Sequence, residues 1–387
     1  MKFFLFHFMP YKYLPEGYEK EYETVWVRFP NSFYDPQKGA ELYNEYLDEM
    51  VYAEEMGFDG VCVNEHHQNA YGNMPSPNII AALLASRTKR VKIAIAGNAL
   101  PLRAHPLRLA EEIAMLDVVT RGRMISGFVR GIGAEYHSFV INPNESRPRF
   151  NEAHDLILKA WTEDGPFSFE GKYYNVQYVN PWPRPFQKPH PPIWIPSSGS
   201  FETIDWAAER RYTYLQTHTA YKNVQNYLGS YHRTAKEKFG YTSSPYQVGW
   251  NLPIYVAESD QQAIEEAAEG IEVLYNKLTR MPPEMLFPPG FSSERSEIAL
   301  LKNKQTITGR GTGAYTIKDL MDDGTVLVGS VDTVVERLCQ CHRELNLGYV
   351  IALLQFGTLS HEKTMNNIRM FGQEVIPRVK EKLGVIS

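Results

Sequence analysis

Short, almost wholly apolar segments alternate with amphipathic helical ones along the chain, and this alternation restricts its fold more than any single motif. The apolar runs fall at residues 3–8, 60–64, 91–100, 124–129, 193–196, 214–217, 252–256 and 349–355. Helical spacing occupies 37–56, 78–86, a stretch opened by Pro106, 150–161, 202–209, 224–239, 261–277 and 361–382. In the first of these, Leu42, Tyr46, Leu47, Met50 and Ala53 recur at helical spacing, and Gly57 follows as a stop. Strands that are apolar on both faces belong to a parallel sheet covered by helices. No glycine-rich nucleotide loop follows the first strand, so eight successive βα units predict a closed (β/α)8 TIM barrel rather than an open doubly wound sheet. The chain has 387 residues, more than the roughly 250 of a minimal barrel. The excess falls in three insertions read as loops, about 9–36, 162–192 and 278–325. No linker composition divides the chain, which is read as one domain over 1–387.

Charge and composition exclude several function classes. A net charge of −5 offers no basic field for nucleic acid or an anionic membrane. No run approaches the ~20 apolar residues of a membrane span. The opening MKFFLFHFMP contains His7, stops at Pro10 and has no small-residue cleavage site, so it reads as a first strand and not a signal peptide. Cys62, Cys339 and Cys341 are odd in number and have neither zinc nor redox spacing, which points to a reducing, cytoplasmic compartment. Aromatics crowd the first insertion, YKYLPEGYEKEYETVWVRFPNSFYD. They form either a packed cover or the lining of a pocket for an apolar or aromatic substrate. The third insertion, with TRMPPEMLFPPGFSS and TGRGTGAY, is either a lid over the barrel mouth or a tolerated surface loop.

In a parallel barrel the chemistry sits at the C-terminal ends of the strands. Those ends carry Asn64-Glu65-His66-His67, Gly97-Asn98-Ala99, Arg130-Gly131-Ile132-Gly133, Ser197-Ser198-Gly199-Ser200 and Gln216-Thr217-His218. Ser198-Gly199-Ser200 lies just ahead of a predicted helix, as a phosphate cradle or a plain helix cap. Arg130, and Arg147 in NESRPRF, supply the positive charge a phosphate wants. The RGIG stretch lacks the third glycine of a dinucleotide fingerprint. Along a strand only Glu65 and His67 converge, and no HExxH occurs, so no metal site is expected. A structural histidine and an active-site histidine both remain open.

Taken together, NEHH, LPLRAHPLRLAEEIAMLDVVTRGRMISGFVRG, ESR, PPIWIPSSGS…DWAA and ALLQFG…HEKTMNNIRMFGQEVIPRV resemble the luciferase-like flavin-dependent monooxygenases. These are (β/α)8 enzymes related to the bacterial luciferase alpha subunit, and the match runs in order from about residue 2 to 380. The resemblance implies that His66 is the catalytic histidine beside the flavin, with Glu65 or His67 fixing its tautomer. It implies that Arg130 and the turn through Ile132 touch the flavin, and that Arg147, Ser198, Gly199 and Ser200 hold the FMN phosphate. Asn98 and Tyr136 join them as cofactor-binding candidates, and 278–325 matches a mobile lid.

The implied reaction takes reduced FMN (FMNH2) from a separate flavin reductase and O2, and passes through a flavin C4a-peroxide. It oxygenates a small, mostly apolar organic substrate. A homodimer through the helices after strands two and three is expected. Val129 stands where the luciferase alpha subunit has a reactive cysteine, which argues against light emission from a long aldehyde. Two other readings are an F420-dependent oxidoreductase of the same fold and a non-catalytic flavin-binding subunit.

Overall fold

The computed structural model describes residues 1–286, 288–291, 293, 298 and 314–384. Strands are numbered in chain order: β1 (Lys2–Phe6), β2 (Gly60–Val63), β3 (Lys92–Ala99), β4 (Met124–Val129), β5 (Phe167–Glu170), β6 (Asn175–Val179), β7 (Ile193–Ser197), β8 (Thr213–Thr217), β9 (Val248–Ala257), β10 (Leu327–Ser330) and β11 (Tyr349–Leu353). Eight of them close a parallel barrel in the order β1-β2-β3-β4-β7-β8-β9-β11 and back to β1. Each of the eight apolar runs contributes one barrel strand.

Two features depart from the sequence reading. The insertion 162–192 is not all loop, because β5 and β6 pair in it as an antiparallel hairpin. A further βα unit, β10 with the helix Val331–Leu345, stands between the seventh and eighth barrel strands. It escaped the alternation because β10 is only four residues long and directly follows the Pro- and Gly-rich insertion. β9 spans ten residues to serve it: Val248 to Asn251 pair with β8, and Ile254 to Ala257 pair with β10. Of the expected lid, residues 287, 292, 294–297 and 299–313 lie outside the described residues. Its described flanks include the short helices Pro283–Leu286 and Ile317–Asp322.

The barrel interior is filled by Phe4, Cys62, Ala94, Trp194, Leu215 and Ile351, all buried. Phe4 meets Trp194 edge-on at 4.9 Å. Fully burying a side chain the size of Phe4, Leu215 or Ile351 stabilises the fold by ~1.5–3 kcal/mol. β3 and β4 come unusually close where the Ala96–Gly97 peptide is cis and the register shifts between Ile95 and Asn98. A Cβ on Gly127 would fall 2.1 Å from the Ile95 carbonyl oxygen, so only glycine fits there.

The helices that bear on the site are α1 (Pro36–Glu55), α2 (Pro77–Arg87), α3 (Pro106–Val119), α4 (Gly133–Phe139), α5 (Ser146–Thr162) and α6 (Phe201–Glu209). Asp35 caps α1 by accepting from the Gln37 N–H at 2.8 Å, with Pro36 at the first helical position. The Leu42, Tyr46, Leu47, Met50 and Ala53 face of α1 is buried as its spacing predicted.

Behind β1, His7 Nε2 donates to Glu49 Oε2 at 2.8 Å, and His361 Nδ1 reaches Glu49 Oε1, also at 2.8 Å. Burial pushes the Glu49 carboxyl up, but the bonds from His361 and His7 outweigh it and hold it below its ordinary range. His361 is raised in turn by its bond to Glu49. This cluster joins β1, α1 and the C-terminal helix His361–Met370. No helix among the described residues is long and apolar enough to cross a membrane.

Candidate active site

A cavity of about 300 Å³ opens at the C-terminal mouth of the barrel. Its wall draws on the C-terminal ends of β1, β2, β3, β4, β7 and β8, on the mid-strand residues Asn251 of β9 and Ile351 of β11, and on the starts of α4, α5 and α6. One end is cationic and hydroxyl-rich. The other is aromatic and aliphatic.

His66 stands on the wall just past β2 with 18% of its side chain exposed. Its Nδ1 lies 3.2 Å from Glu135 Oε1, and the other Glu135 oxygen accepts from the Ile132 N–H at 2.9 Å. Glu135 thus caps the start of α4 with one oxygen and fixes the imidazole with the other. The ring is enclosed by Trp26 at 5.2 Å, Tyr71 at 5.1 Å and Phe8 at 6.2 Å between centroids. Its Nε2 has no hydrogen-bond partner among the described residues.

The expectation that Glu65 or His67 orients His66 is corrected. Glu65 Oε1 bonds His67 Nε2 at 2.7 Å, while Oε2 accepts from Arg103 and from the Ala99 N–H. Glu65 and His67 do converge as strand parity required, but into a hydrogen bond with each other. Glu65 borders the cavity with both oxygens engaged, and His67 packs edge-on against Phe139, off the cavity wall. Among the described residues no group of three or more His, Cys, Asp and Glu has the geometry to hold a metal ion.

At the cationic end, Arg147 Nη2 donates to Ser200 Oγ at 3.3 Å. Arg130 Nη1 donates to Ser146 Oγ at 3.2 Å and to the Phe291 carbonyl at 2.9 Å, with the Phe291 ring 4.0 Å from its guanidinium. Burial brings the Arg130 pKa down to about 10, and the neighbouring Arg147 charge adds to the fall. Arg147 is lowered by burial too, against the pull of Glu202. Two guanidiniums held at a cost to their own charge form a site that an anion stabilises. Ser200 caps α6, so that helix directs its N-terminal dipole to the same place. Gly199, at φ 116°, keeps the turn open, because a Cβ there would lie 2.4 Å from the Tyr227 ring.

Arg130, Ile132, Arg147, Ser198, Gly199 and Ser200 all line the cavity. Asn98 and Tyr136 do not. Asn98 is buried with Oδ1 accepting from Arg103 at 3.2 Å, and Tyr136 donates its hydroxyl to the Arg130 carbonyl at 2.5 Å. Both support the wall from behind. The first-insertion aromatics pack mainly on one another, as Tyr18 and Tyr22 do on Phe29 at 5.4 Å. Only Trp26 among them touches His66. No helix is expected at 133–139 from the spacing, so Glu135 escapes notice there. A glutamate at the third position of a helix start was the available signal.

A family model for luciferase-like monooxygenases matches residues 25–345. The oxygenase component of a flavin-dependent trigonelline monooxygenase from Acinetobacter baylyi is 29% identical over 249 residues, covering 62% of this chain and 67% of that protein. An uncharacterised protein of Sinorhizobium fredii is 34% identical over 176 residues, 44% of this chain, and the match spans about half (51%) of its length. Among solved structures, the oxygenating constituent of 3,6-diketocamphane monooxygenase from Pseudomonas putida, in complex with FMN, superposes with a TM-score of 0.72. It shows 20% identity over 98% of both chains. An F420-dependent secondary alcohol dehydrogenase gives a TM-score of 0.65 at 15% identity, also over 98% of both chains. Barrel, mouth cavity and family match agree: the chain belongs to the luciferase-like monooxygenase family.

Proposed function

We propose that this chain is the oxygenase component of a two-component monooxygenase that uses reduced FMN and O2 on a small, mostly apolar organic substrate. The observation that carries the reading is the arrangement of one cavity. Arg130, Arg147 and Ser200 gather together, and His66, whose Nε2 has no partner among the described residues, lines the same cavity just past β2. The Gly199 turn, the α6 N-terminus and the two guanidiniums fit a phosphate, and the apolar barrel mouth fits a flat ring system. Reduced FMN, when bound, supplies the electrons that let one oxygen atom of O2 enter the substrate while the other leaves as water.

The chain's own residues do the rest. Arg130, Arg147 and Ser200 hold the phosphate and so fix where the cofactor lies. Phe8, Trp26 and Tyr71 exclude water around His66. His66 takes or returns a proton at Nε2, with Glu135 holding the ring through Nδ1. A separate reductase is supported by the Acinetobacter relative, which is named as an oxygenase component. A homodimer is supported by Ile79 and Leu83 on α2 and by Met115, Val118 and Val119 on α3, all apolar and exposed. The free, buried cysteines fit a reducing, cytoplasmic setting.

The test is anaerobic titration with reduced FMN and with reduced riboflavin, which lacks the phosphate. Losing charge-assisted hydrogen bonds to the phosphate makes riboflavin bind roughly 100-fold more weakly. Arg147→Met removes most of that difference. Equal binding of the two flavins to the wild-type protein contradicts the reading. A second reading, F420-dependent hydride transfer, is supported by the fold shared with the alcohol dehydrogenase and predicts turnover without O2.

A further inference from the structure

The cationic end of the cavity already has a carboxylate on the donors that would receive a phosphate. Glu202, the second residue of α6, is half-buried between Ser200 and Thr203, both of which line the cavity. Its Oε2 accepts from the Ser200 hydroxyl at 2.8 Å, and its Oε1 accepts from the Ser293 hydroxyl. Ser200 Oγ in turn accepts from Arg147 Nη2 at 3.3 Å and from the Thr203 N–H at 3.4 Å. A serine hydroxyl has one proton and two acceptor lone pairs, so this one is fully used. Glu202 also bears on both guanidiniums. Burial lowers Arg147 and Arg130, and the Glu202 charge works against that fall in each.

A glutamate in this position conflicts with a fully ionised phosphate. A phosphate that takes the Ser200 proton deprives Glu202 Oε2 of that donor, and it brings two acceptor-only anions together. The neighbours do not absorb the conflict. Tyr136 gives its hydroxyl to the Arg130 carbonyl and is raised by burial to about 12, and Tyr227, whose ring lies against Gly199, is also raised by burial. Both stay neutral, which leaves Arg130 and Arg147 as the positive charges that offset two anions. A proton on the ligand resolves the clash. A phosphomonoester has its second pKa at roughly 6, so it gains one easily near neutral pH. A sulfate ester or a phosphodiester has none to gain.

We infer that Glu202 is a specificity residue that accepts a hydrogen bond from a protonated phosphomonoester, and so selects a terminal phosphate over a phosphodiester or a sulfate ester. The inference rests on the FMN reading for the identity of the phosphate. Arg130, Arg147 and Ser200 bind an anion of any kind, and Glu202 adds the requirement that the anion carry a proton. That proton comes from solvent and lies between one phosphate oxygen and Glu202 Oε2. The carboxylate thereby sorts FMN from cofactors whose phosphate is a diester.

Anaerobic titration calorimetry of the full chain at about pH 7.5, in buffers of different ionisation enthalpy, reads the proton directly. The probes are reduced FMN, the reduced sulfate ester of riboflavin, and reduced riboflavin. Wild-type protein takes up close to one proton per FMN and none per sulfate ester, and it binds FMN roughly 10- to 100-fold tighter than the sulfate ester. Glu202→Gln keeps the shape of the side chain and can donate as well as accept. It abolishes the proton uptake and lowers the preference by about 10-fold. A plain preference for the more highly charged ligand predicts the opposite sign, because removing a nearby negative charge favours a dianion more than a monoanion. Glu202→Ala shows the same loss of proton uptake, which covers the case of a glutamine that disturbs the helix start. FMN binding to wild type without proton uptake overturns the inference. So does a preference that holds or rises in Glu202→Gln. FMN that binds tighter than riboflavin but no tighter than the sulfate ester removes the inference alone. FMN that binds no tighter than riboflavin refutes the phosphate site and the inference with it.

Discussion

Two clusters of histidine and glutamate flank the same barrel wall, and they differ in what their nitrogens have left to do. In His7–Glu49–His361 every facing atom is used. Both Glu49 oxygens accept from histidines, and His7 Nδ1 accepts from the Met9 N–H at 2.8 Å. In His66–Glu135 one imidazole nitrogen is held, the other has no partner among the described residues, and the residue lines the cavity. Residue types are the same in both. A closed set of partners marks a structural cluster, whereas a half-closed set on a cavity wall marks a working one.

Substitutions sharpen that contrast by separating chemistry from stability. His66→Ala is expected to lower product formation by ~10²–10⁴-fold while leaving the unfolding transition in place. A mutant that unfolds instead would move His66 into the structural class. Glu49→Ala should do the reverse. Removing the shared carboxylate leaves the buried His7 imidazole unpaired and lowers stability by ~3–5 kcal/mol in urea titration, while the folded fraction keeps its activity. Wild-type stability in that variant would show that the cluster holds nothing together.

A smaller effect follows from pH. Glu49 is depressed below its ordinary 4.5, so its contribution is present above that value and is lost as pH falls through the folded pKa. His361 is raised above 6.5, so its contribution is full below that value and fades as pH rises through the folded pKa. The clamp is therefore strongest between about 4.5 and 6.5. The melting-temperature gap between wild type and His361→Asn should be widest there and narrow on either side. A gap independent of pH would mean that His361 acts only by packing, and its partial exposure keeps the expected difference modest.

The difference between the clusters also shows what a sequence discloses. All eight barrel strands were legible, because a strand buried on both faces needs an unbroken apolar run such as Val61-Cys62-Val63. Arg130, Ser198 and Ser200 were legible as strand-end polar residues, since closure of a parallel barrel brings strand ends together wherever they lie in the chain, whereas Arg147, on α5, was singled out only for its charge. Partner choice was not. Glu135 sits 69 residues from His66, and nothing local says that its carboxylate, and not that of adjacent Glu65, reaches the ring. Asn251 was hidden for a similar reason: it lines the cavity from inside β9, and no strand-end rule looks there.

The central claim, that the open nitrogen of His66 moves a proton next to bound flavin, is tested most directly by stopped-flow reoxidation. Protein loaded anaerobically with reduced FMN is mixed with oxygenated buffer across a pH series. Flavin absorbance is followed in the wild type, His66→Asn and Glu135→Gln. The account predicts one titration in the wild-type rate profile, shifted in Glu135→Gln and absent in His66→Asn, with FMN affinity equal in all three. A His66→Asn profile that overlays the wild type would contradict it.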